Sequence, residues 1–221
     1  MITLALDAST YCGSVALLDG TRVLAEEQVA MKGAEHERLM PAVGAVLERS
    51  GVEVSAIGRL VCGAGPGSFT SLRIAGGIAK GIVSGIGCPL HAVPSMALVV
   101  GGTALRTGRY VVAMDALRGE LYVGLYDVEM DSEIAEIEPA RIIRAEAIDA
   151  VAHEFSAKVV SPSPLPDAIV SQPRAAAVAR LERFLQAHAP VDARTWEPSY
   201  GRLAEAQVRW ESLHGKPLTM G

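Results

Sequence analysis

Short apolar runs separated by turn residues fill the beginning of the chain. The runs at residues 2–8, 14–18 and 22–29 have the length of strands, and their order predicts an antiparallel meander. A further apolar run at 59–62 is typical of a buried strand, and another strand is predicted at 90–93. The first half of the chain is therefore expected to build a sheet.

Longer stretches between these strands carry apolar residues three or four positions apart, which is the spacing of a helix that packs on one face. Helices are predicted at 34–49, 72–86 and 94–105. In the first of them, His36 begins an HExxH-like sequence, but Met40 stands where a zinc protease needs its second histidine. We therefore interpret His36 as a residue at the start of a packed helix.

The second half of the chain repeats the order of the first. Strands are predicted at 110–115, 120–127 and 133–138, and the first of them ends in an acid, as the run at 2–8 does. We interpret this pattern as a weak internal duplication of an α/β unit. The other predicted elements are a helix at 144–155, a strand at 158–161, a helix at 174–188 and a last helix at 200–213.

Turn residues at 107–108 indicate a boundary between the two halves. We expect an N-terminal lobe over residues 1–105 and a C-terminal lobe over residues 106–221. The last helix is in a position to pack back on the first lobe.

The most distinctive stretch is Cys-Gly-Ala-Gly-Pro-Gly-Ser-Phe-Thr-Ser-Leu-Arg at residues 62–73. Its glycines and proline end the strand before it and form a loop with unusual backbone angles. Ser68, Thr70 or Ser71 can cap the helix that follows. The sequence therefore predicts a strand, a tight loop and a capped helix in immediate succession.

One row along this helix holds an arginine followed by three glycines, Arg73, Gly77, Gly81 and Gly85. Each glycine costs a helix about 0.8–1 kcal/mol relative to alanine, so three in one row need a compensating reason. The usual reason is the close approach of another helix, either within the same domain or from a second protein. A membrane span is not expected, because the run is too short and carries two charged residues.

Composition narrows the choice of function. The chain has 221 residues, 50% of them hydrophobic, and a formal net charge of −5. This charge argues against broad nucleic-acid binding by the chain alone. The three cysteines, Cys12, Cys62 and Cys88, have no CxxC spacing and are expected to be reduced cytosolic thiols, and the first residues do not resemble a signal peptide.

A candidate for phosphate chemistry follows the first strand, at Asp7, Ser9 and Thr10. An acid at a strand end, followed by hydroxyls and a glycine turn, can hold a phosphate and its magnesium ion. The same residues also fit an ordinary polar hairpin, which the spacing alone favours. No metal site is expected, because none of the five histidines has metal-ligand spacing with another.

Four stretches together resemble the bacterial TsaB family, and the resemblance spans nearly the whole chain. The most specific is Gly-Pro-Gly-Ser-Phe-Thr-Ser-Leu-Arg at 65–73 followed by Ala-Lys-Gly at 79–81. The others are 4–10, 115–122 and 197–202 with Ala206. The chain departs from the family motifs at Ser71, where glycine is common, and at Leu117, where arginine is common.

The resemblance implies an actin/sugar-kinase/Hsp70-like (ribonuclease H-like) fold, with two similar lobes of mixed sheets flanked by helices. It also implies a non-catalytic subunit needed for threonylcarbamoylation of adenosine next to the anticodon of tRNA. The implied partners are a TsaD-like catalytic subunit and a TsaE-like ATPase, or a second copy when the chain is alone. The implied location is the cytoplasm, tRNA is contacted only through the complex, and no membrane is involved. No tightly bound cofactor is expected, and ATP or ADP would belong to the assembled complex.

The resemblance further implies that helices of the first lobe form the partner or dimer interface. The interface residues expected on and beside these helices are Leu39, Met40, Val43, Leu47, Phe69, Arg73, Gly77, Lys80, Gly81 and Gly85. The signature loop consists of Gly65, Pro66, Gly67, Ser68 and Thr70. Asp7, Ser9 and Thr10 are then a vestigial phosphate site.

Two other functions compete with this hypothesis. An ATP-dependent phosphotransferase or ATPase that acts alone would use Asp7, Ser9 and Thr10, but the turn at 10–13 has few glycines and the second half has no comparable phosphate loop. A protease would need a nucleophile–base pair or a zinc pair, and the sequence offers neither.

Overall fold

The computed structural model of the chain describes residues 1–32 and 37–201. His36 and nearly all of the helix predicted at 200–213 lie outside the described residues. Within the described part, the chain forms two five-stranded sheets with helices packed between and outside them.

The first sheet contains the strands β1 (Ile2–Asp7), β2 (Cys12–Asp19), β3 (Arg22–Ala30), β4 (Ile57–Gly63) and β5 (Leu90–Val93). Their order across the sheet is β3-β2-β1-β4-β5. The three strands of the predicted meander are antiparallel, and β4 and β5 continue the sheet in parallel with β1.

The second sheet contains the strands β6 (Gly108–Asp115), β7 (Glu120–Val128), β8 (Ile134–Arg144), β9 (Lys158–Ser161) and β10 (Ile169–Val170). Their order is β10-β9-β6-β7-β8, with β6, β7 and β8 antiparallel and β9 and β10 parallel to β6. Both sheets therefore have the same topology, which confirms the predicted duplication and the actin/sugar-kinase/Hsp70-like fold class.

The helices are α1 (Leu39–Ser50), α2 (Phe69–Ile86), α3 (Ser95–Val100), α4 (Ile148–Glu154) and α5 (Glu182–Ala187), and short stretches of 3-10 helix lie at Val54–Ala56, Ala145–Ala147 and Ala175–Arg180. None of the helices in residues 1–32 and 37–201 is long and apolar enough to cross a membrane. The division into lobes at residues 105 and 106 stays a prediction.

Three apolar clusters form the core. The largest lies between the two sheets and encloses α3 and the 3-10 turn at Ala175–Arg180. The second lies under α1 and α2, and the third lies between the second sheet and α4. In β1, Leu4 and Leu6 contact the second cluster while Ala5 contacts the first. Both faces of β1 are therefore buried, which explains its uninterrupted apolar sequence.

Several helices begin or end at other residues than predicted; the helix predicted at 144–155, for example, is α4 at Ile148–Glu154. The helix predicted at 34–49 begins at Leu39, because the Glu37 carboxylate accepts the backbone N–H groups of Leu39 and Met40 and leaves residues 37–38 outside the helix. The helix predicted at 94–105 ends at Val100. There the pair Gly101 and Gly102 passes so close to Ala177 and Gln172 that side chains would collide.

The prediction of one long helix at 174–188 is wrong. A 3-10 turn and α5 occupy this stretch instead, separated at Leu181, whose φ of −123° is not helical. Leu181 is buried between the sheets with Ala175, Ala177 and Val178. Packing of this segment between the two sheets thus overrides the helix propensity of its alanines. The third strand of the second half is also longer than predicted and continues to Arg144.

Candidate partner-binding surface

The helix α2 forms as the sequence predicts, but it begins at Phe69 rather than Leu72. Its buried face consists of Ser71, Leu72, Ala75, Gly76 and Ala79. The helix ends at Gly87, whose φ of +75° is the left-handed conformation that glycine adopts most easily. At the other end, Ser68 occupies the cap position, but its hydroxyl lies 3.1 Å from the Ser71 hydroxyl instead of accepting a backbone N–H of the helix.

The row of glycines on α2 is exposed in the described part of the chain. A Cβ atom placed on Gly77, Gly81 or Gly85 would find no atom of residues 1–32 and 37–201 within 4 Å, apart from the backbone of α2 itself. Close packing against these residues is therefore not the reason for this row. Gly76, by contrast, lies close to Pro198: a Cβ on Gly76 would lie 3.2 Å from Pro198 Cγ. The row pattern in the sequence does not include Gly76.

The helix α1 contributes less to an exposed surface than predicted. Leu39 and Val43 are 0% and 2% exposed and belong to the core cluster under α1 and α2. The prediction that these two side chains reach a partner is therefore wrong, because the apolar face of α1 is used against the first sheet. Leu47 is partly buried against the same cluster, while Met40 is 47% exposed.

The segment at 191–201, here called the C-terminal strap, follows α5 and runs along the first sheet to the signature loop. Val191 forms a bridge with Leu90 at the edge of the first sheet. Further along, the Ser199 N–H donates to the Ala64 carbonyl at 2.7 Å. The strap thus reaches the signature loop and lies beside α2.

Side chains of the strap contact the beginning and the middle of α2. The rings of Phe69 and Tyr200 have centroids 4.5 Å apart, and the Tyr200 hydroxyl donates to Glu197 Oε2 at 3.0 Å. The other oxygen of Glu197 pairs with Lys80 Nζ at 2.8 Å, and this contact is the main reason why the pKa of Glu197 is lowered. Arg73 lies over the Phe69 ring at 5.5 Å. The surface around the glycine row is therefore built from both α2 and the strap.

The family resemblance predicts an interface role for Phe69, Arg73 and Lys80, but not for Glu197 and Tyr200 of the strap. The available signal was the resemblance of residues 197–202 to a family motif, which gave no indication of where these residues pack. Of that motif, Arg202 lies outside the described residues, and so does Ala206.

The signature loop closes over the end of β1. Pro66 is buried and follows a cis peptide bond, whereas Thr70 is exposed. The Gly65 N–H donates to Ser95 Oγ at 2.9 Å, and the Ser68 N–H donates to the Ser9 carbonyl at 2.8 Å. A Cβ on Gly67 would collide with the backbone of Ser9. The loop therefore occupies the space in front of the predicted phosphate residues.

Asp7 is fully buried beneath this loop. Its Oδ1 accepts the backbone N–H and the hydroxyl of Ser9 at 2.9 and 2.8 Å, and its Oδ2 accepts the Ser95 hydroxyl at 2.5 Å. Burial raises the pKa of Asp7, and these hydrogen bonds partly offset the rise. Gly63 is required beside it, because a Cβ there would collide with the carboxylate. In this conformation Asp7 cannot contact a phosphate or a magnesium ion.

The third residue of the predicted phosphate site, Thr10, is engaged in its own turn. Its hydroxyl donates to the Cys12 carbonyl and accepts the Cys12 N–H, both at 3.1 Å. The corresponding acid of the second lobe, Asp115, is exposed and accepts the Leu117 N–H at 2.8 Å. In residues 1–32 and 37–201, no three His, Cys, Asp or Glu side chains are grouped as a metal site requires.

Comparison with known proteins adds sequence relatives. A family model described as "TsaD: tRNA N6-adenosine threonylcarbamoyltransferase" matches residues 30–186, which is more than half of the chain. The "tRNA threonylcarbamoyladenosine biosynthesis protein TsaB" of Escherichia coli K12 is 36% identical over 129 residues, which cover 57% of this chain and 55% of the relative. The protein of the same name from Bacillus subtilis 168 is 33% identical over 126 residues and 55% of its length. The match thus spans about half the length of these relatives.

Solved structures extend the likeness to nearly the whole chain. A Pseudomonas aeruginosa protein described as similar to peptidase YeaZ superposes with a TM-score of 0.77 at 27% identity, covering 91% of this chain and 99% of that one. A structure described as YeaZ from the same organism gives a TM-score of 0.76 over 90% of this chain and 100% of that one, also at 27% identity. By its sequence relatives and its fold, the chain belongs to the TsaB family, within the wider family that the TsaD model describes.

Proposed function

We propose that this chain is a non-catalytic subunit required for threonylcarbamoylation of the adenosine next to the anticodon of tRNA. It acts by binding a TsaD-like catalytic subunit and supporting its activity together with a TsaE-like ATPase. The names of the Escherichia coli and Bacillus subtilis relatives support a role in forming this modified nucleoside. Without these partners the chain pairs with a second copy of itself, and it meets tRNA through the complex in the cytoplasm.

The observation that carries the proposal is the outward glycine row of α2. A helix face without side chains lets the backbone of a second helix approach closely. In this structure the face contains Gly77, Gly81 and Gly85, and no part of the described chain covers it. These three glycines destabilise the free helix and pack against no other described part of the chain, so a contact with another molecule would account for them.

The border of this face supports a protein partner as well. Arg73 is exposed, and among the described residues it contacts the Phe69 ring but forms no ion pair. The sequence of α2 contains no acidic residue that could neutralise it. A carboxylate on the partner would complete this end of the contact.

The environment of Asp7 argues against a phosphotransferase that acts alone. Such an enzyme would need the carboxylate accessible to a metal ion or a phosphate, whereas both oxygens accept hydrogen bonds from this chain beneath the signature loop. We propose that the chain itself holds no tightly bound cofactor and that ATP or ADP binds in the assembled complex.

The test is to deplete the chain in its native cell and to measure threonylcarbamoyladenosine in total tRNA by nucleoside mass spectrometry. Loss of the modification, restored by the parent chain but not by Gly81→Leu, is expected. Ala187→Leu is the matched control, since it places the same leucine side chain at an exposed position of α5. Unchanged modification after depletion would refute the proposed role, and ATP hydrolysis by the pure chain would instead favour the phosphotransferase.

A further inference from the structure

We infer that Asp7 is a positioning residue for partner binding, because its carboxylate fastens the signature loop and thereby fixes the start of α2. This role rests on the proposed function, since α2 carries the proposed partner surface. It differs from the phosphate-binding role that the sequence suggested for Asp7, because the side chain serves the chain's own loop instead of a ligand.

The two oxygens of Asp7 reach the loop on either side of Pro66. On one side, Oδ2 accepts the Ser95 hydroxyl at 2.5 Å, and Ser95 Oγ in turn accepts the Gly65 N–H at 2.9 Å. On the other side, Oδ1 accepts both the N–H and the hydroxyl of Ser9. The carbonyl of Ser9 then accepts the Ser68 N–H at 2.8 Å. One buried carboxylate thus holds both ends of the tight part of the loop.

The second connection leads directly into α2. Ser68 is the cap residue of this helix, and its carbonyl accepts the Leu72 N–H at 2.9 Å in the first turn. Phe69 and Arg73, which border the glycine row, belong to this first turn and the next. A shift of Ser68 would therefore move the end of the surface at which the partner is expected to bind.

The backbone before and within the loop lies tightly against Asp7 and Ser9. Side chains on Gly63 or Gly67 would collide with the Asp7 carboxylate or with the Ser9 backbone. A buried carboxylate also disfavours folding unless its hydrogen bonds compensate, and burial raises the pKa of Asp7. An apolar side chain would fill such a space at lower cost, so a buried acid with three donors is better explained by the geometry it imposes.

The test compares the full-length parent chain with Asp7→Asn. The asparagine keeps the shape and can still accept from Ser9, but its NH₂ group cannot accept the Ser95 hydroxyl. The first readout is amide hydrogen exchange of the loop at 64–72, which is expected to become about tenfold faster. The second is the Kd for the TsaD-type protein of the same cell, which is expected to rise about tenfold, as for the loss of one hydrogen bond to a charged group.

The control is Val160→Ala, which removes buried atoms from β9 in the second sheet. Val160→Ala is expected to lower overall stability. Under conditions where the protein is folded, the hydrogen exchange of loop 64–72 and the Kd should both stay at parent values. A destabilised fold alone would therefore not imitate the expected result.

Three outcomes decide the inference. Asp7→Asn with parent-like loop exchange or parent-like Kd would overturn it. If Asp7→Asn does not fold, Ser95→Ala is tested in its place. Ser95→Ala removes the connection from Asp7 to Gly65 and leaves Asp7 bound to Ser9. Unchanged hydrogen exchange of the loop in Ser95→Ala would overturn the inference. If the parent chain does not bind the TsaD-type protein, the proposed function fails, which is distinct from a failure of Asp7 to control the loop.

Discussion

The rings of Phe69 and Tyr200 lie with their centroids 4.5 Å apart at the beginning of α2. These residues are 131 positions apart in the sequence, and their contact joins the C-terminal strap to the helix that follows the signature loop. The planes are tilted by 48°, an arrangement that the charge distribution of aromatic rings favours over direct stacking. The proposed partner surface therefore contains residues from both halves of the chain.

This aromatic contact predicts a measurable coupling between the strap and α2. In a double-mutant cycle of Phe69→Leu and Tyr200→Leu, the free energies of unfolding should be non-additive by about 0.5–1.5 kcal/mol. Urea denaturation of the parent, the two single variants and the double variant provides the four values. Additive losses would mean that the strap does not stabilise α2 through this contact.

Alanine at the glycine row should stabilise the free chain. Gly77→Ala and Gly81→Ala should each raise the free energy of unfolding by about 0.5–1 kcal/mol, because a methyl group there meets no neighbouring element among the described residues and alanine is the better helix former. Urea denaturation at a concentration where the chain is monomeric measures the change.

Gly76→Ala is the matched control on the same helix. Its added methyl would lie 3.2 Å from Pro198 Cγ, so the gain in helix propensity is offset by crowding and no stabilisation is expected. A loss of stability in Gly81→Ala would show instead that the row is packed inside the fold.

His91 should make the fold less stable in mild acid. Burial, and then the charge of Arg59, hold the pKa of His91 below its ordinary value of 6.5. Because the unfolded chain binds this proton more readily, the stabilising effect of the neutral imidazole is complete above pH 6.5 and is lost as the pH falls from there towards the lower folded-state pKa.

The measurement is urea denaturation of the parent chain and His91→Gln at pH 7.5 and pH 5.5. The comparison of the two proteins separates the contribution of His91 from that of the other titratable groups, which both proteins share. The parent should therefore lose more stability between the two pH values than the variant does. Equal losses would contradict the lowered pKa.

Much of the fold could be predicted from the sequence because local patterns determine it. The apolar runs located most strands, and the repeated order of strand, acid and turn indicated the duplication that the two matching sheets confirm. The helical spacing after the glycine loop located α2 within three residues at its start. These features depend on neighbours in sequence, which a pattern records.

The parts that the sequence did not reveal depend on distant segments. An amphipathic pattern cannot show whether an apolar face meets the chain's own sheet or another protein, so Leu39 and Val43 were assigned to an interface although they are buried. Asp7 has the position of a phosphate ligand in the sequence, but the loop that covers it begins more than fifty residues later. The spacing of Gly77, Gly81 and Gly85 likewise predicted that they share one side of α2, but not whether this side faces the rest of the chain or the outside.

The central claim is that the outward face of α2 binds a partner, and Gly81→Leu tests it most directly. Leucine adds bulk where two backbones would meet, and overpacking of about 1–3 kcal/mol corresponds to a loss of affinity of about 5- to 150-fold. The free chain should keep its fold, because the described residues place no atom outside the backbone of α2 within 4 Å of the added Cβ.

The decisive measurement is sedimentation velocity of Gly81→Leu, with and without the TsaD-type protein, beside its circular dichroism spectrum and the control Ala187→Leu. We expect a folded Gly81→Leu that sediments as a monomer and does not join the partner, while Ala187→Leu associates like the parent chain. A folded Gly81→Leu that still pairs with itself and still binds the TsaD-type protein with the affinity of the parent would contradict the claim.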